Sequence, residues 1–247
     1  MDASGSHESN RAYYDAFSAG YETRRGDRDP GGYHELLDEL EADFVARFGA
    51  GRDILEVGCG TGLVLRRIAE FARTARGVDL SPGMLEHARA RGLTVQEGSA
   101  TAIPFDDASF DVTCSFKVLA HVPAIEQALA EMARVTRPGG HVLAEFYNPN
   151  SLRGVMKRFG PAGRIADGAH ERNVFTRFDS PADVRRMIPA GCTLVAERGV
   201  RIVTPLAAAM RVPGLRHLLR RAEWALCDSP LRAFGGFWIA AMQKRPR

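Results

Sequence analysis

The sequence predicts an α/β protein: a seven-stranded, mostly parallel, doubly wound sheet with an N-terminal helical lid and a helical insertion before the last strand. Three observations predict it. Short apolar runs alternate with amphipathic helices from residue 53 onward, which demands crossover connections and a sheet covered on both faces. A glycine-rich turn joins the first run to the first of these helices. A basic amphipathic stretch within residues 204–233 separates the last two apolar runs.

In chain order, residues 1–8 read as frayed. Asn10 to Glu22 reads as a helix rich in aromatics (Tyr13, Tyr14, Phe17, Tyr21), followed by a charged loop from Thr23 to Gly32. Tyr33 to Phe48 places Leu36, Leu37, Leu40, Phe44 and Val45 on one helical face. Asp53 to Val57 is the first strand and Leu63 to Ala72 the helix after it. Ala75 to Asp79 is the second strand. Ser81 then caps a helix with Pro82 at its first position: the serine oxygen satisfies a free amide, and proline has none to leave unpaired. Leu93 to Glu97 and Phe110 to Phe116 are the third and fourth strands. Ala124 to Val135 is a helix stopped by Arg137-Pro138-Gly139-Gly140, and His141 to Tyr147 is the fifth strand. Ser180 to Ile188 is a further capped helix. Thr193 to Val203 and Phe234 to Gln243 are the last strands, with a basic helix from Leu215 to Leu226 between them. The expected organisation is one domain: a lid over residues 1–50, a ligand-binding core over 51–150, and the rest of the sheet with its insertion over 151–247.

The 247 residues include 45% apolar and 26% charged side chains, which excludes a disordered chain and leaves enough apolar surface for a core without disulfides. The four cysteines form no C-x-x-C pair and the seven histidines no ligand spacing, so neither a disulfide framework nor a metal site is expected. Without a run of eighteen apolar residues or a basic-then-apolar leader, the expectation is a cytoplasmic protein with no integral membrane segment. Net charge is +3 but uneven: residues 198–247 hold ten Lys or Arg against two acids, and the remainder is mildly acidic. That argues against a nucleic-acid binder and for a basic C-terminal element.

The chemistry concentrates in Glu56-Val57-Gly58-Cys59-Gly60-Thr61-Gly62, between the first strand and its helix. Glycines at 58, 60 and 62 permit a sharp turn and close approach of a ligand. Glu56 at the strand end can hold an ammonium, directly or through water. Asp79 ends the next strand, facing the same crevice, where a carboxylate can accept from both hydroxyls of a ribose. A dinucleotide fingerprint would require glycine at 63, and Leu63 stands there. An acid at the start of the loop suits the amino group of methionine better than a pyrophosphate. Together these features point to S-adenosylmethionine.

On these residues the chain resembles the class I S-adenosylmethionine-dependent methyltransferases of the small-molecule type, over most of its first 150 residues. The resemblance implies a Rossmann-like core, with S-adenosylmethionine as cofactor and S-adenosylhomocysteine as product. Its glycine loop matches Glu56 to Gly62, including Gly58, Cys59, Gly60 and Gly62. Its ribose-binding acid matches Asp79 in Gly77-Val78-Asp79-Leu80-Ser81, with Leu80 beside it and Met84 packing near the adenine. Where the family often carries an acid for the adenine amino group, this chain has Ser99 before Ala100. Ser115-Phe116-Lys117 falls at the end of the fourth strand, beside the methionine end. The lid resemblance places Tyr14 or Tyr21 against the cofactor.

The sulfonium methyl is already electrophilic, so transfer needs positioning, and for some acceptors a base. His121, just past the fourth strand, is the leading candidate because imidazole titrates near neutral pH. Its alternative role is to bond a nearby carbonyl and orient a helix. Tyr14 is the second catalytic candidate; Tyr21, Tyr33, His34, Tyr147 and His170 weigh less. Asn148-Pro149-Asn150 reads as a turn, and Cys59 as a small side chain beside a ligand rather than a nucleophile. The expected partner is a small-molecule acceptor, with natural-product-like or amphiphilic character and peripheral membrane contact through residues 214–226; the oligomeric state is left open. Protein or RNA methylation and a catalytically silent cofactor-binding module stand as the alternatives.

Overall fold

Alternating apolar runs and helical faces resolve into seven strands and six helices among the described residues. The computed structural model of the chain describes Asp15, Ser18, Gly20, residues 31–151 and residues 175–246. The strands are β1 (Asp53–Val57), β2 (Thr74–Asp79), β3 (Thr94–Glu97), β4 (Phe110–Ser115), β5 (Thr136–Tyr147), β6 (Cys192–Val200) and β7 (Phe237–Lys244). The helices are α1 (Tyr33–Gly49), α2 (Leu63–Ala69), α3 (Pro82–Ala90), α4 (Ile125–Val135), α5 (Pro181–Arg186) and α6 (Pro213–Leu226). The sheet order is β3-β2-β1-β4-β5-β7-β6. β1 to β5 pair in parallel, and β7 runs antiparallel between β5 and β6.

Alternation along the strands divides the core. On β1, Leu55 and Val57 face α4 and α5, where Ile125, Leu129, Met132 and Val184 are buried. Ile54 faces the other way, onto Leu36, Leu40, Phe44 and Val45 of α1 with Val64 and Ile68 of α2. α3 begins as its sequence predicts, the Ser81 hydroxyl accepting from the Met84 amide. α5 begins with a reciprocal bond set between Ser180 and Asp183.

Several boundaries differ from expectation. α2 ends at Ala69 rather than Ala72, and α5 at Arg186 rather than Ile188. Arg137-Pro138-Gly139-Gly140 does not precede the fifth strand but lies within it: Thr136 already pairs with Phe110, and the register shifts before His141 meets Val112. β6 ends at Val200 rather than Val203. Arg201 turns the backbone to a φ of 61°, and the amides of Ile202, Val203 and Thr204 leave the sheet to donate to the buried Glu223 carboxylate at 2.8–2.9 Å. The excursion between β6 and β7 closes where the Gly236 amide donates to the Arg201 carbonyl at 2.9 Å.

The insertion helix corrects a second expectation. Helical spacing groups Leu215, Leu218, Leu219, Ala222 and Leu226 on one apolar face, to be buried together or to line a surface together. In α6, Leu219 is buried, but Leu215 and Leu218 are exposed. The inward positions include charged side chains whose partners lie outside the helix. Arg216 donates to the Met210 carbonyl, Arg220 to Glu39 and the Gly31 carbonyl, and Glu223 accepts as above.

Arg198 of β6 joins α1 to the segment after α6. Its guanidinium is wholly buried; it donates to the Leu40 carbonyl, Asp43 and both oxygens of Asp228, and stacks over Phe44. Burial alone would raise the Asp228 carboxyl, but bonds from Arg198 and Arg47 hold it down at about 2. A depressed carboxyl stabilises the fold above its unfolded pKa and loses that contribution as pH falls through the folded one. Asp228→Asn is therefore expected to destabilise the protein at neutral pH and progressively less toward pH 2. Chemical unfolding of both proteins across that range checks it; a pH-independent difference would contradict the linkage.

Candidate active site

The carboxyl ends of β1, β2 and β4 open into a cleft. Its floor is the turn after β1. The Gly58 and Cys59 amides both donate to the Val78 carbonyl at the end of β2, at 2.7 and 3.0 Å. Gly60 follows at a φ of 53°, its amide donating 2.8 Å to Asp79 Oδ2. A side chain on Gly60 would meet nothing within 4 Å, so it is the backbone angle there that favours glycine. The Ser81 amide donates to Asp79 Oδ1 at 2.9 Å. Each Asp79 oxygen thus keeps acceptor capacity for a ligand hydroxyl. Burial pushes the Asp79 carboxyl above the usual range, the Ser81 and Gly60 amides oppose this, and the Asp15 carboxylate adds to it.

Asp15 brings the N-terminal segment to this edge. Its Oδ1 accepts from the Ser81 hydroxyl and, at 3.1 Å, from the Gly83 amide, at the start of α3. Leu80 and the buried Met84 line the cleft nearby, with Ser99 and Ala100 beyond β3. The Ser99 hydroxyl is engaged by Thr101 at 2.8 Å.

The opposite wall follows β4: Phe116, Lys117, Val118 and, from the short turn Leu119–His121, the imidazole of His121. Lys117 has a φ of 60°, unusual for a residue with a side chain. Two elements hold it there: its amide donates to Glu145 Oε1 of β5 at 3.0 Å, and its ammonium pairs with Asp38 at 3.0 Å and Glu41 at 2.6 Å, both on α1. Burial and the neighbouring Glu41 carboxylate push the Glu145 carboxyl well above the usual range, against the pull of Lys117. His121 Nδ1 lies 3.0 Å from the Phe175 carbonyl, and the ring meets Tyr147 edge-on at 5.7 Å. The Thr176 hydroxyl lies 3.3 Å from the same nitrogen. A carbonyl only accepts, so the shorter contact, to Phe175, is a hydrogen bond in the tautomer with the proton on Nδ1, which leaves Nε2 as the basic nitrogen.

Of the residues singled out in the sequence, Glu56, Gly58, Cys59, Gly60, Asp79, Leu80, Met84, Ser99, Ala100, Phe116 and His121 line this one cleft. Gly62 does not. It starts α2 at a φ of 83°, and a side chain there would fall 2.3 Å from Leu93, so its place is in packing against the segment before β3. Tyr14 and Tyr21 lie outside the described residues, as does His170. The sequence places Lys117 beside the methionine end but gives no sign of its ion-pair partners, which come from distant segments; Thr61 lies inside the glycine motif with no role of its own assigned.

Burial, reinforced by the Glu56 and Asp79 carboxylates, pushes the Cys59 thiol well above its ordinary range. The other three cysteines are buried too. Iodoacetamide at neutral pH is expected to leave native Cys59 unmodified and to label it after unfolding, as read by mass spectrometry; rapid labelling of the folded chain would contradict this.

Residues 55–144 match a protein family described as a methyltransferase domain. Those residues carry a methyltransferase domain. The chain is 40% identical over 105 residues to a probable S-adenosylmethionine-dependent methyltransferase of Mycolicibacterium smegmatis, covering 42% of this chain and 40% of that one. It is also 30% identical over 162 residues to a ubiquinone biosynthesis O-methyltransferase of Cupriavidus pinatubonensis, covering 61% and 64%. The chain spans less than two thirds of the length of either curated relative. In fold it is similar to an S-adenosylmethionine-dependent methyltransferase of Thermotoga maritima, described as a possible histamine N-methyltransferase, with a TM-score of 0.65, 20% identity and coverage of 95% and 99%.

The methyltransferase cleft fits the family's cofactor. Asp79 suits ribose hydroxyls. Glu56, on the cleft wall, suits an ammonium. The Thr61 hydroxyl, buried on the same wall, has no hydrogen-bond partner among the described residues, as expected of a group awaiting a polar ligand. Among the described residues, no helix is long and apolar enough to cross a membrane.

Proposed function

We propose that this chain transfers the methyl group of S-adenosylmethionine to a hydroxyl of a small amphiphilic acceptor. The observation that carries the reading is the pairing of walls across one cleft: Asp79 and the glycine turn on one side, Phe116 to His121 on the other. S-adenosylmethionine, when bound, supplies an electrophilic methyl group open to in-line attack. Asp79 binds the ribose, Glu56 the ammonium, and Met84 with Leu80 the adenine face. Asp15, bonded at the start of α3, stands at the ribose side. His121 accepts the acceptor's proton at Nε2 while the Phe175 carbonyl holds the ring from Nδ1.

The amphiphilic character rests on the aromatic surroundings of His121. Phe175 and Phe178 are exposed beside it, and Tyr147 packs between Phe178 and Phe237. A polar molecule would gain little from such a rim; one with an apolar body and a single reacting oxygen would gain from it. The ubiquinone biosynthesis O-methyltransferase, a relative by name, supports an acceptor of this kind. The acidic body supports neither RNA nor DNA as substrate. The test is a cofactor-consumption screen over phenols, quinols, carboxylic acids and amines of graded apolar length. Turnover rising with apolar length on a hydroxyl acceptor is the expected result. Failure of S-adenosylmethionine to bind in calorimetry would overturn the whole reading; turnover of amines alone would overturn the oxygen acceptor.

A further inference from the structure

We propose that the outer face of α6 docks this protein onto an anionic lipid bilayer, an inference that goes beyond methyl transfer and does not depend on it. α6 is amphipathic in the reverse of the usual sense. Its inward side includes Arg216, Arg220 and Glu223, all bonded to backbone or acidic partners, and keeps only part of its leucines. Its outward side presents Leu215 at 39% and Leu218 at 65% exposure, with Val212 at 55% just before the helix and Trp224 at 38% along its flank. A helix held only by the core would turn these leucines inward. Here the bonded charges set the rotation, and the apolar side chains are left to water.

The charges beside that face indicate what covers it. Arg211 and Arg221 are exposed and make no ion pair among the described residues, and His217 is exposed between them. Arginines flanking exposed leucines and a tryptophan suit the headgroup and acyl boundary of an anionic membrane. The wider charge distribution favours the same orientation. The mildly acidic body is repelled by an anionic surface that attracts residues 198–247, so the α6 face is presented to it. Nucleic acid would match the arginines but leave the leucines unused. A second copy would match the leucines but bring the arginines of two like faces together.

The experiment is co-sedimentation of the full chain with vesicles of phosphatidylglycerol and phosphatidylcholine, against vesicles of phosphatidylcholine alone, at low and high salt. Binding is expected to the anionic vesicles and to weaken with salt. The double variant Leu215→Ser with Leu218→Ser is expected to lose about tenfold or more in vesicle affinity, and Arg221→Glu to lose binding at low salt. Both substitute exposed residues, and an unchanged S-adenosylmethionine affinity by calorimetry verifies that each variant is folded. If the cofactor fails to bind wild type, the methyl-transfer reading falls and the vesicle result stands alone. The docking inference is overturned by wild type that ignores anionic vesicles at low salt, by binding that survives the leucine changes, or by a wild-type dimer that those changes dissociate.

Discussion

Asp79→Ala is expected to weaken S-adenosylmethionine binding by a hundredfold or more. A hydrogen bond to a charged acceptor contributes about 1.5–3 kcal/mol, and two ribose hydroxyls lose that acceptor together. Asp79→Asn keeps one acceptor oxygen and should lie between the alanine variant and wild type. Because burial holds the Asp79 carboxyl above the usual range, wild-type affinity should fall on acidification at a higher pH than an ordinary carboxylate would cause. The alanine variant should lack that pH dependence. Calorimetry across pH reads both effects, with thermal unfolding to verify that the turn holding Gly60 and Ser81 survives. Cofactor affinity equal to wild type in Asp79→Ala would remove the ribose from this carboxylate.

His121→Ala is expected to lower kcat by about a hundredfold to ten-thousandfold, the range for loss of a positioned general base. Cofactor affinity should hold, since the imidazole lies on the wall opposite Asp79. The acid limb of the kcat profile should disappear with the ring. His121→Gln separates base from spacer: its amide can still donate to the Phe175 carbonyl, as Nδ1 does, but cannot take a proton at neutral pH. If glutamine restored wild-type kcat, the ring would act only by fixing the 175–177 segment against the turn, and the assignment as base would fall.

What could be read from the sequence was whatever depends on neighbours in the chain. Ser81-Pro82 announced α3 because a cap is a local bond. Leu36, Leu37, Leu40 and Phe44 announced α1 because their spacing is its buried face. The glycine turn and Asp79 were legible as a site because parallel strands bring successive carboxyl ends to one crevice. What failed was set by distant partners. The rotation of α6 follows from Glu39, Gly31 and residues 202–204, none of which leaves a mark in the periodicity of 213–226. The place of Lys117 at the end of β4 was legible, but not the convergence of Asp38, Glu41 and Glu145 on it. Gly62 read as part of the ligand turn because its neighbours are; only Leu93, brought up by the strand-to-strand crossover, gives it a different task.

The bond from Gly236 to Arg201 makes the excursion between β6 and β7 a cassette. It leaves the sheet and returns to it through neighbouring peptide groups, so its length and sequence place no demand on the pairing of the two strands. Lengthening such a loop costs little, about 0.6 kcal/mol for each doubling. The two strands could equally be joined by a tight turn as an ordinary hairpin, and the cofactor cleft at β1, β2 and β4 would keep its walls. A lineage with this sheet is thereby free to exchange what the protein touches without re-evolving how it holds its cofactor. The same property gives an engineer a place to graft: residues 202–235 can be replaced as a unit, provided the substitute covers the α1 surface that Met210 and Leu219 now bury and supplies a carboxylate to the buried Arg198, as Asp228 does.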